Sequence, residues 1–324
     1  MSRGTAIEAF ATQWLDTPDG QQIYLEQSGN PNGIPVIYCH GGPGGGSSPF
    51  HRQLFDAALY HIIIFDQRGC GLSRPALQLN NNSTQHLIAD MEMIRQHLQI
   101  PNWVVAGGSW GSTLALAYGQ TYPQYCLGFI LRGIFLGREQ DIDWLYRAGF
   151  GASQVFPDYY QDFLQPITHL LHLDVLQAYQ LQLHHQDEAI RLEAALAWSI
   201  WESRIATLMP NEFSWGGEMD AQSALALALI EHHYFMHQCF FEPNQLLDNL
   251  HKISHLPCNI VHGRYDMICK AENAFSLASL WPDAQLHWVL DAGHSASETG
   301  IAKALYQASR AMADRLQTQA RTAV

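Results

Sequence analysis

Ser109 has the sequence surroundings of a catalytic nucleophile. It lies in Gly107-Gly-Ser-Trp-Gly111, after an apolar run that starts at Trp103 and before a helical pattern over residues 113–122. A Gly-x-Ser-x-Gly pentapeptide between a strand and a helix is typical of a nucleophile elbow, where the backbone turns too tightly for bulky neighbours. The alternative is a glycine-rich turn whose serine only caps the helix. A base and an acid in the right chain order would favour the nucleophile.

A serine hydroxyl is a weak nucleophile at neutral pH, so it needs a base, and the base needs an acid that orients it. His294 comes shortly after one apolar run that is predicted to be a strand, and Asp266 comes after the run before it. Catalytic groups collect at the carboxyl ends of parallel strands. The order Ser109, Asp266, His294 is that of the α/β-hydrolase triad and favours catalysis. The alternatives are a loop carboxylate paired with Arg264 and a histidine that serves only a turn.

The oxyanion of an acyl-transfer intermediate needs backbone N–H donors. We expect one from Trp110, directly after the nucleophile, and the other from Gly42 in the glycine-rich stretch 40–46. A phosphate-binding loop is disfavoured there, because the stretch contains neither G-x-x-x-x-G-K-[ST] nor G-x-G-x-x-G. The charged and glycine-containing stretch 66–75 could line the same site, but a structural turn is the favoured interpretation.

The elements that would position these residues alternate between strands and helices. Apolar runs predict strands at residues 22–27, 35–39, 60–65, 103–106, 127–131, 259–262 and 285–290. Apolar residues at helical spacing predict helices at residues 84–98, 113–122, 271–280 and 301–316. This alternation predicts an α/β fold with a mostly parallel sheet that is covered on both faces.

The pattern changes near residue 135. Up to about residue 250 the chain is rich in Trp, Tyr, Phe, His and Gln and shows no buried β-branched run. We therefore expect an inserted helical cap at 135–250, between the two parts of the α/β core at 1–134 and 251–324.

Composition excludes several classes of function. The chain of 324 residues has 17 basic and 30 acidic residues, a net charge of -13 and no basic block, so a nucleic-acid partner is disfavoured. The six cysteines form no C-x-x-C pair, which indicates reduced thiols rather than disulfides or a zinc site. The N-terminal residues lack a signal pattern, and the longest apolar run, 224–230, is too short to span a bilayer. The expectation is a cytoplasmic protein without a membrane segment.

Five stretches together resemble the prolyl iminopeptidase family. They are HGGPGGG at 40–46, DQRGCGLSRP at 66–75, GGSWGS at 107–112, LRGIF at 131–135 and GRYD at 263–266. The resemblance covers nearly the whole chain and implies an α/β-hydrolase-fold peptidase that removes proline from the N-terminus of peptides, with no metal or organic cofactor. It maps the family's serine, aspartate and histidine onto Ser109, Asp266 and His294.

Two glutamates of the helical region stand on apolar faces. Helical spacing puts apolar and aromatic residues around Glu202 and around Glu231, and neither segment has a lysine or arginine on that face. A carboxylate in such a place is costly unless it is paired. The hypothesis is that both bind the protonated amine of an N-terminal proline, and the resemblance maps the family's amine-binding glutamates onto these positions. The alternative is two half-exposed helix carboxylates.

A small apolar slot should accept the pyrrolidine ring. The resemblance implies that Phe135, Phe235 and Cys269 line it together with Trp110, and that Tyr146 belongs to it by a less secure match. Aromatic residues are more often plain core, and that alternative stays open here.

The sequence thus predicts a serine exopeptidase that acts on peptides with an N-terminal proline. An esterase or amidase for small acyl groups would share the triad without needing the two glutamates. A non-catalytic hydrolase-like binding protein would require a broken triad. The sequence leaves open the length of the peptide, the strictness for proline and the oligomeric state.

Overall fold

A single eight-stranded sheet organises the protein in the computed structural model, which describes residues 7–212 and 219–322. The strands are β1 (Ala9–Asp16), β2 (Gln22–Gly29), β3 (Ile34–Cys39), β4 (Tyr60–Phe65), β5 (Trp103–Ser109), β6 (Cys126–Ile134), β7 (Cys258–Gly263) and β8 (Ala284–Val289). Their order in the sheet is β1-β2-β4-β3-β5-β6-β7-β8. β2 is antiparallel to both β1 and β4, and all the other pairs are parallel.

The helices fall into three groups. Those of the α/β core before the insertion are α1 (Thr84–His97) and α2 (Trp110–Thr121). Those between β6 and β7 are α3 (Glu139–Tyr146), α4 (Gly151–Val155), α5 (Pro157–Leu164), α6 (Val175–Leu183), α7 (Glu188–Ile205), α8 (Ala221–Met236) and α9 (Gln245–Asp248). The last two are α10 (Ala271–Leu280) and α11 (Thr299–Thr322). No helix within the described ranges has the length and hydrophobicity needed to cross a bilayer.

The inner strands are apolar on both faces because helices cover both sides of the sheet. Val105 of β5 packs in one core cluster with residues of α1, α2 and α10. Its neighbour Val104 packs in a second cluster with residues of α11. Successive side chains of a strand point to opposite faces, so a strand buried on both sides has no polar alternation. The predicted α/β-hydrolase fold is confirmed.

The register brings the carboxyl ends of four parallel strands to one edge. Cys39 of β3 pairs with Gly107 of β5, and Ser109 at the end of β5 pairs with Ile134 at the end of β6. β6 in turn pairs with β7, with Arg132 opposite Val261. The segments that leave these strands therefore start side by side.

The segment between β6 and β7 consists of helices joined by loops and turns, and it contains no strand in its described residues, 135–212 and 219–257. We call it the helical insertion. Aromatic rings fill its interior, where Phe163 stacks on Tyr179 with centroids 4.7 Å apart and Trp201 is 1% exposed. The division of the chain into separate domains at residues 134 and 250 stays a prediction.

The first strand was missing from the sequence prediction. β1 lies at the edge of the sheet, and its residues alternate between half-buried and exposed, so that neither face carries a buried apolar row. Phe10 and Trp14, its largest side chains, are 51% and 41% exposed. An edge strand of this kind gives a weak periodic signal.

Candidate active site

Ser109 stands at a sharp turn between β5 and α2. Its φ is +59° and its ψ is −128°, a conformation that residues other than glycine rarely adopt. A Cβ atom on Gly111 would lie 2.0 Å from the carbonyl oxygen of Cys39, so only glycine permits this close crossing. The Ser109 side chain makes no capping hydrogen bond to α2. The helix-cap alternative is therefore disfavoured, and the turn has the geometry of a nucleophile elbow.

His294 and Asp266 are hydrogen-bonded to each other. Nδ1 of His294 lies 2.8 Å from Oδ2 of Asp266, and Oδ1 of Asp266 accepts the N–H groups of Ile268 and Cys269 at 2.9 and 2.7 Å. Burial alone would raise the pKa of Asp266, but the charge and hydrogen bond of His294 and the N–H donor outweigh it, so the pKa is lowered. A carboxylate at this place fixes His294 as the tautomer with its proton on Nδ1.

The loop that carries His294 is also tied to the helical insertion. The backbone N–H of His294 donates to the carbonyl oxygen of Ala206, directly after α7, at 2.8 Å. The carboxylate of Glu298 accepts the N–H of Gly293 at 2.8 Å and the N–H of Leu208 at 3.0 Å. The position of the histidine thus depends on the end of α7.

The expected hydrogen bond between His294 and Ser109 is not formed in this arrangement. Nη1 of Arg132 donates to Nε2 of His294 at 2.9 Å and to the His294 carbonyl oxygen at 3.0 Å. The only partner described for Oγ of Ser109 is Sγ of Cys269, at 4.0 Å. Catalytic hydrogen bonds of free enzymes often tighten only when substrate is bound. For catalysis, Nε2, the atom that would act as the base, would have to lose the hydrogen bond from Arg132 and accept one from Ser109.

Arg132 is a residue of the site that was not predicted from the sequence. It is 8% exposed, and a Cβ atom on Gly108 would lie 2.5 Å from its Nη2, so the guanidinium lies against the elbow. Within residues 7–212 and 219–322 it has no ion pair with a carboxylate, and its Nε has no hydrogen-bond partner. Burial lowers the pKa of His294 and the Arg132 charge lowers it further, while Asp266 opposes the shift. In the sequence, the only indication of this role was an arginine directly after the apolar run 127–131.

The glycine-rich stretch 40–46 lies beside the nucleophile. A Cβ atom on Gly41 would lie 3.4 Å from Cβ of Ser109. Gly42 has a φ of +109° and lies against Leu227 of α8, and Trp110 is the first residue of α2. Both proposed oxyanion donors therefore belong to segments that border Ser109, and their role stays a prediction.

The two glutamates of the helical insertion meet each other. The hydroxyl of Tyr146 donates to Oε1 of Glu202, Nε1 of Trp198 donates to Oε2 of Glu231 at 2.8 Å, and the two carboxyl groups share a hydrogen bond. Glu231 is 2% exposed and Glu202 is half-buried. Neither forms an ion pair with a lysine or arginine in the described part of the chain.

This arrangement raises the proton affinity of the carboxyl pair. Burial raises the pKa of Glu231 well above its ordinary value, and the neighbouring Glu202 raises it further. Burial also raises the pKa of Glu202, against the hydrogen bonds that it accepts from Tyr146 and Glu231. A pair that keeps one proton carries one negative charge, which matches a singly charged cation.

Aromatic rings connect the elbow with the carboxyl pair. Tyr146 stacks on Trp198 with centroids 4.3 Å apart and lies 5.6 Å from Phe235, which lies 5.8 Å from Phe135. The N–H of Phe135 donates to Oγ of Ser112, on the first turn of α2, at 3.2 Å. Three of the residues predicted to line an apolar slot, Phe135, Tyr146 and Phe235, are thus neighbours, while the slot itself stays a prediction.

One group of side chains has ligand types that could hold a metal. Among the described residues, Asp266, Cys269 and His294 are the only three His, Cys, Asp or Glu side chains whose ligand atoms lie close together, within 4.8 Å of one another. Two of them already bond each other, and the Cys269 thiol has a pKa raised well above its ordinary value by burial. These features describe a hydrogen-bonded pair of histidine and aspartate beside a neutral thiol.

Comparisons with known proteins agree with this architecture. Residues 34–301 match the family model for the alpha/beta hydrolase fold. The chain is 47% identical over 305 residues to a probable proline iminopeptidase of Leptolyngbya boryana, with 94% of each chain covered. It is 45% identical over 308 residues to a proline iminopeptidase of Arabidopsis thaliana, covering 94% of this chain and 80% of the relative. It is 43% identical over 310 residues to that of Neisseria gonorrhoeae, covering 95% and 98%.

Solved structures resemble this one in fold alone. A putative aryl esterase from Burkholderia cenocepacia superimposes with a TM-score of 0.64 at 19% identity, covering 95% of this chain and 98% of the esterase. A putative lipase from Acinetobacter baumannii gives a TM-score of 0.63 at 18% identity, covering 97% and 93%. The identity and coverage of the three sequence relatives decide the assignment: the chain belongs to the proline iminopeptidase family of α/β-hydrolase-fold proteins.

Proposed function

We propose that this protein is a serine exopeptidase that releases proline from the N-terminus of peptides through an acyl-enzyme. The observation that carries the proposal is the hydrogen-bonded pair of half-buried Glu202 and buried Glu231. This pair has no cationic partner in the described ranges and adjoins the rings beside the elbow. A free N-terminal proline supplies both a secondary ammonium ion for the pair and an apolar ring.

The chemical steps follow from the triad. Nε2 of His294 exchanges its hydrogen bond from Arg132 for one from Ser109 and takes the hydroxyl proton as Oγ attacks the proline carbonyl carbon. The backbone N–H groups of Gly42 and Trp110 stabilise the oxyanion, and Asp266 stabilises the imidazolium. His294 then gives the proton to the leaving amine, and the peptide bond breaks. Water, activated by the same imidazole, hydrolyses the ester and releases proline.

The carboxyl pair limits cleavage to the first peptide bond. A buried charge that is left without its partner costs about 2–5 kcal/mol, so a substrate without the ammonium ion loses most of this binding free energy. An internal proline has an amide nitrogen, which carries no charge. Only an unblocked N-terminus satisfies Glu202 and Glu231.

The test compares a proline arylamide with its N-acetylated form. We expect kcat/KM to be about 100-fold or more lower for the blocked substrate, because the lost charge leaves the carboxyl pair unpaired. Glu231→Gln should remove most of this difference by weakening only the free-amine substrate, while a fluorophosphonate still labels Ser109 at the wild-type rate. Glu193→Gln, an exposed change on α7, is the matched control.

Equal hydrolysis of the blocked and free substrates would contradict the exopeptidase proposal and favour an esterase or amidase for small acyl groups. Absence of labelling at Ser109, together with inactivity toward every acyl substrate, would point to a non-catalytic binding protein.

A further inference from the structure

Gln67 joins the two segments that border Ser109. It follows β4 in the stretch 66–75, for which the sequence favoured a turn, and it is 2% exposed. Its Nε2 donates to the carbonyl oxygen of His40 at 2.9 Å, and its Oε1 accepts Nε1–H of Trp110 at 2.8 Å. Its backbone N–H donates to Nε2 of His40 at 3.0 Å. One side chain thus bonds the start of the stretch 40–46 and the first residue of α2.

We propose that Gln67 is a positioning residue for the oxyanion site, which it holds together by fixing the stretch 40–46 relative to Trp110. The inference rests on the proposed function, because it assigns a task within the same acyl transfer. Gln67 does not touch the reacting atoms; it acts through the two segments that present the N–H donors.

Peptide planarity transmits this constraint to the stretch 40–46. The His40 carbonyl and the Gly41 N–H belong to one planar unit, so a hydrogen bond at the oxygen fixes the direction of that N–H. The Gly42 N–H belongs to the next planar unit, whose oxygen is the Gly41 carbonyl. The His40 ring adds a second constraint. Its Nδ1 lies 2.9 Å from the Gly41 carbonyl oxygen, while its Nε2 accepts from Gln67. Burial lowers the pKa of His40, which keeps the ring neutral and able to accept that bond.

The Trp110 side of the contact is equally constrained. The indole ring is fully buried and packs edge-on against Tyr234 with centroids 4.9 Å apart. Its single donor is satisfied by Gln67. A ring that is held at both its edge and its N–H cannot turn, so the backbone N–H of the same residue keeps one direction.

The amide side chain of Gln67 satisfies both partners. An indole N–H can only donate and a carbonyl oxygen can only accept, so the linking group must offer one acceptor and one donor. These partners also fix which end of the Gln67 amide is oxygen. A carboxylate at this position would set a negative charge against the His40 carbonyl oxygen, and a methionine would bond neither partner.

The expected effect is on the transition state. Removing one donor from an oxyanion site costs about 100- to 1,000-fold in kcat, and misplacing a donor costs part of that. We therefore expect Gln67→Met to lower kcat about 10- to 100-fold with little change in KM.

The experiment measures binding of two ligands by the intact enzyme. A boronic acid analogue of proline forms a tetrahedral adduct with Ser109 and needs the oxyanion donors, whereas free proline needs only the ground-state pocket. Gln67→Met should weaken the boronic acid by the same factor as it lowers kcat and leave inhibition by proline unchanged. The matched control is Gln120→Met, since Gln120 is also buried and donates one hydrogen bond, to Leu246 at 2.7 Å. It should lower only the melting temperature.

Unchanged kcat in folded Gln67→Met, or equal weakening of both ligands, would overturn the inference. Should that variant fail to fold, Trp110→Phe removes the indole N–H together with part of the ring. Relative to any change in inhibition by proline, it should lower kcat and boronic acid affinity by a further factor of about 5, the value of one neutral hydrogen bond. No change in kcat or in boronic acid affinity there would also overturn it. Failure of the proposed function is a separate result, namely wild-type enzyme that does not cleave the proline arylamide.

Discussion

Asp266 and Glu231 are both buried carboxyl groups, yet the protein shifts their pKa values in opposite directions. Asp266 sits in the α/β core with His294 on one oxygen and two backbone N–H groups on the other, and its pKa is lowered. Glu231 sits in the helical insertion with one indole donor and another carboxyl group beside it, and its pKa is raised. In the core, Asp266 has hydrogen-bond partners on both oxygens. In the described part of the helical insertion, Glu231 has no positively charged partner.

The largest test of this contrast removes the charge of the core acid. Asp266→Asn keeps the shape but favours the tautomer of His294 with its proton on Nε2, so we expect kcat to fall about 10,000-fold with KM little changed. Steady-state kinetics on the proline arylamide measure both. Glu231→Gln should instead act on the free-amine substrate alone, and a similar loss with N-blocked substrate would show that the two acids do not have separate tasks.

A second test concerns Arg132, which contacts the Nε2 side of the His294 ring, opposite Asp266. The groups that face its ring are Asp266, Arg132 and the neighbouring His262 and Glu298, and the pKa is lowered by burial first and then by Arg132. In the proposed mechanism the neutral imidazole is the base, so we expect activity above this pKa and its loss as the pH falls through it. Arg132→Met removes a positive charge that lowers the pKa of His294. We therefore expect the acid limb of the pH–rate curve for fluorophosphonate labelling of Ser109 to move to higher pH.

Labelling is the appropriate measurement because it does not need the carboxyl pair of the insertion. Arg310→Met, at an ion pair of 2.6 Å with Asp56 on the surface, serves as the control and should leave the limb in place. An acid limb that stays or moves to lower pH in Arg132→Met would show that Arg132 does not control the protonation of the base.

The smallest test uses stability. The folded pKa of Asp266 is lowered, so its contribution is present above its unfolded pKa and is lost as the pH falls through the folded value. The folded pKa of Glu231 is raised, so its contribution is present below its unfolded pKa and is lost as the pH rises through the folded value. At pH 8 without substrate, Asp266→Asn should lower the melting temperature and Glu231→Gln should raise it. Each shift should be about 2–4 °C per kcal/mol of change in the free energy of unfolding. Shifts of the same sign in calorimetry would remove the contrast.

The sequence predicted the triad because strand ends are easy to locate in an α/β chain. Apolar runs mark the strands, and Asp266 and His294 each come soon after one of them. The sequence could not show the partner of Nε2, because nothing in an apolar run tells where the guanidinium of Arg132 goes. The same limit applied to Gln67, whose two partners lie 27 and 43 positions away in the chain.

The carboxyl pair was predicted only in part. Helical spacing placed Glu202 and Glu231 on apolar faces of two separate segments, which identified a missing charge. It could not show that α7 and α8 bring the two groups into contact, and therefore that they hold a proton jointly. β1 was missed for a different reason, since its residues alternate between half-buried and exposed and none of them is fully buried.

The contact between Ala206 and the backbone of His294 has a consequence for how such enzymes can be altered. α7 carries Glu202, and the same helix ends at the carbonyl that holds the histidine loop, with Glu298 bridging the two segments. In the proposed mechanism, the group that binds the substrate amine and the segment that positions the base are therefore both attached to α7. In a chimaera that carries another protein's helical insertion on this sheet, the His294 ring should be displaced and the substrate preference changed. Keeping the junction at residues 206–208 should prevent that displacement.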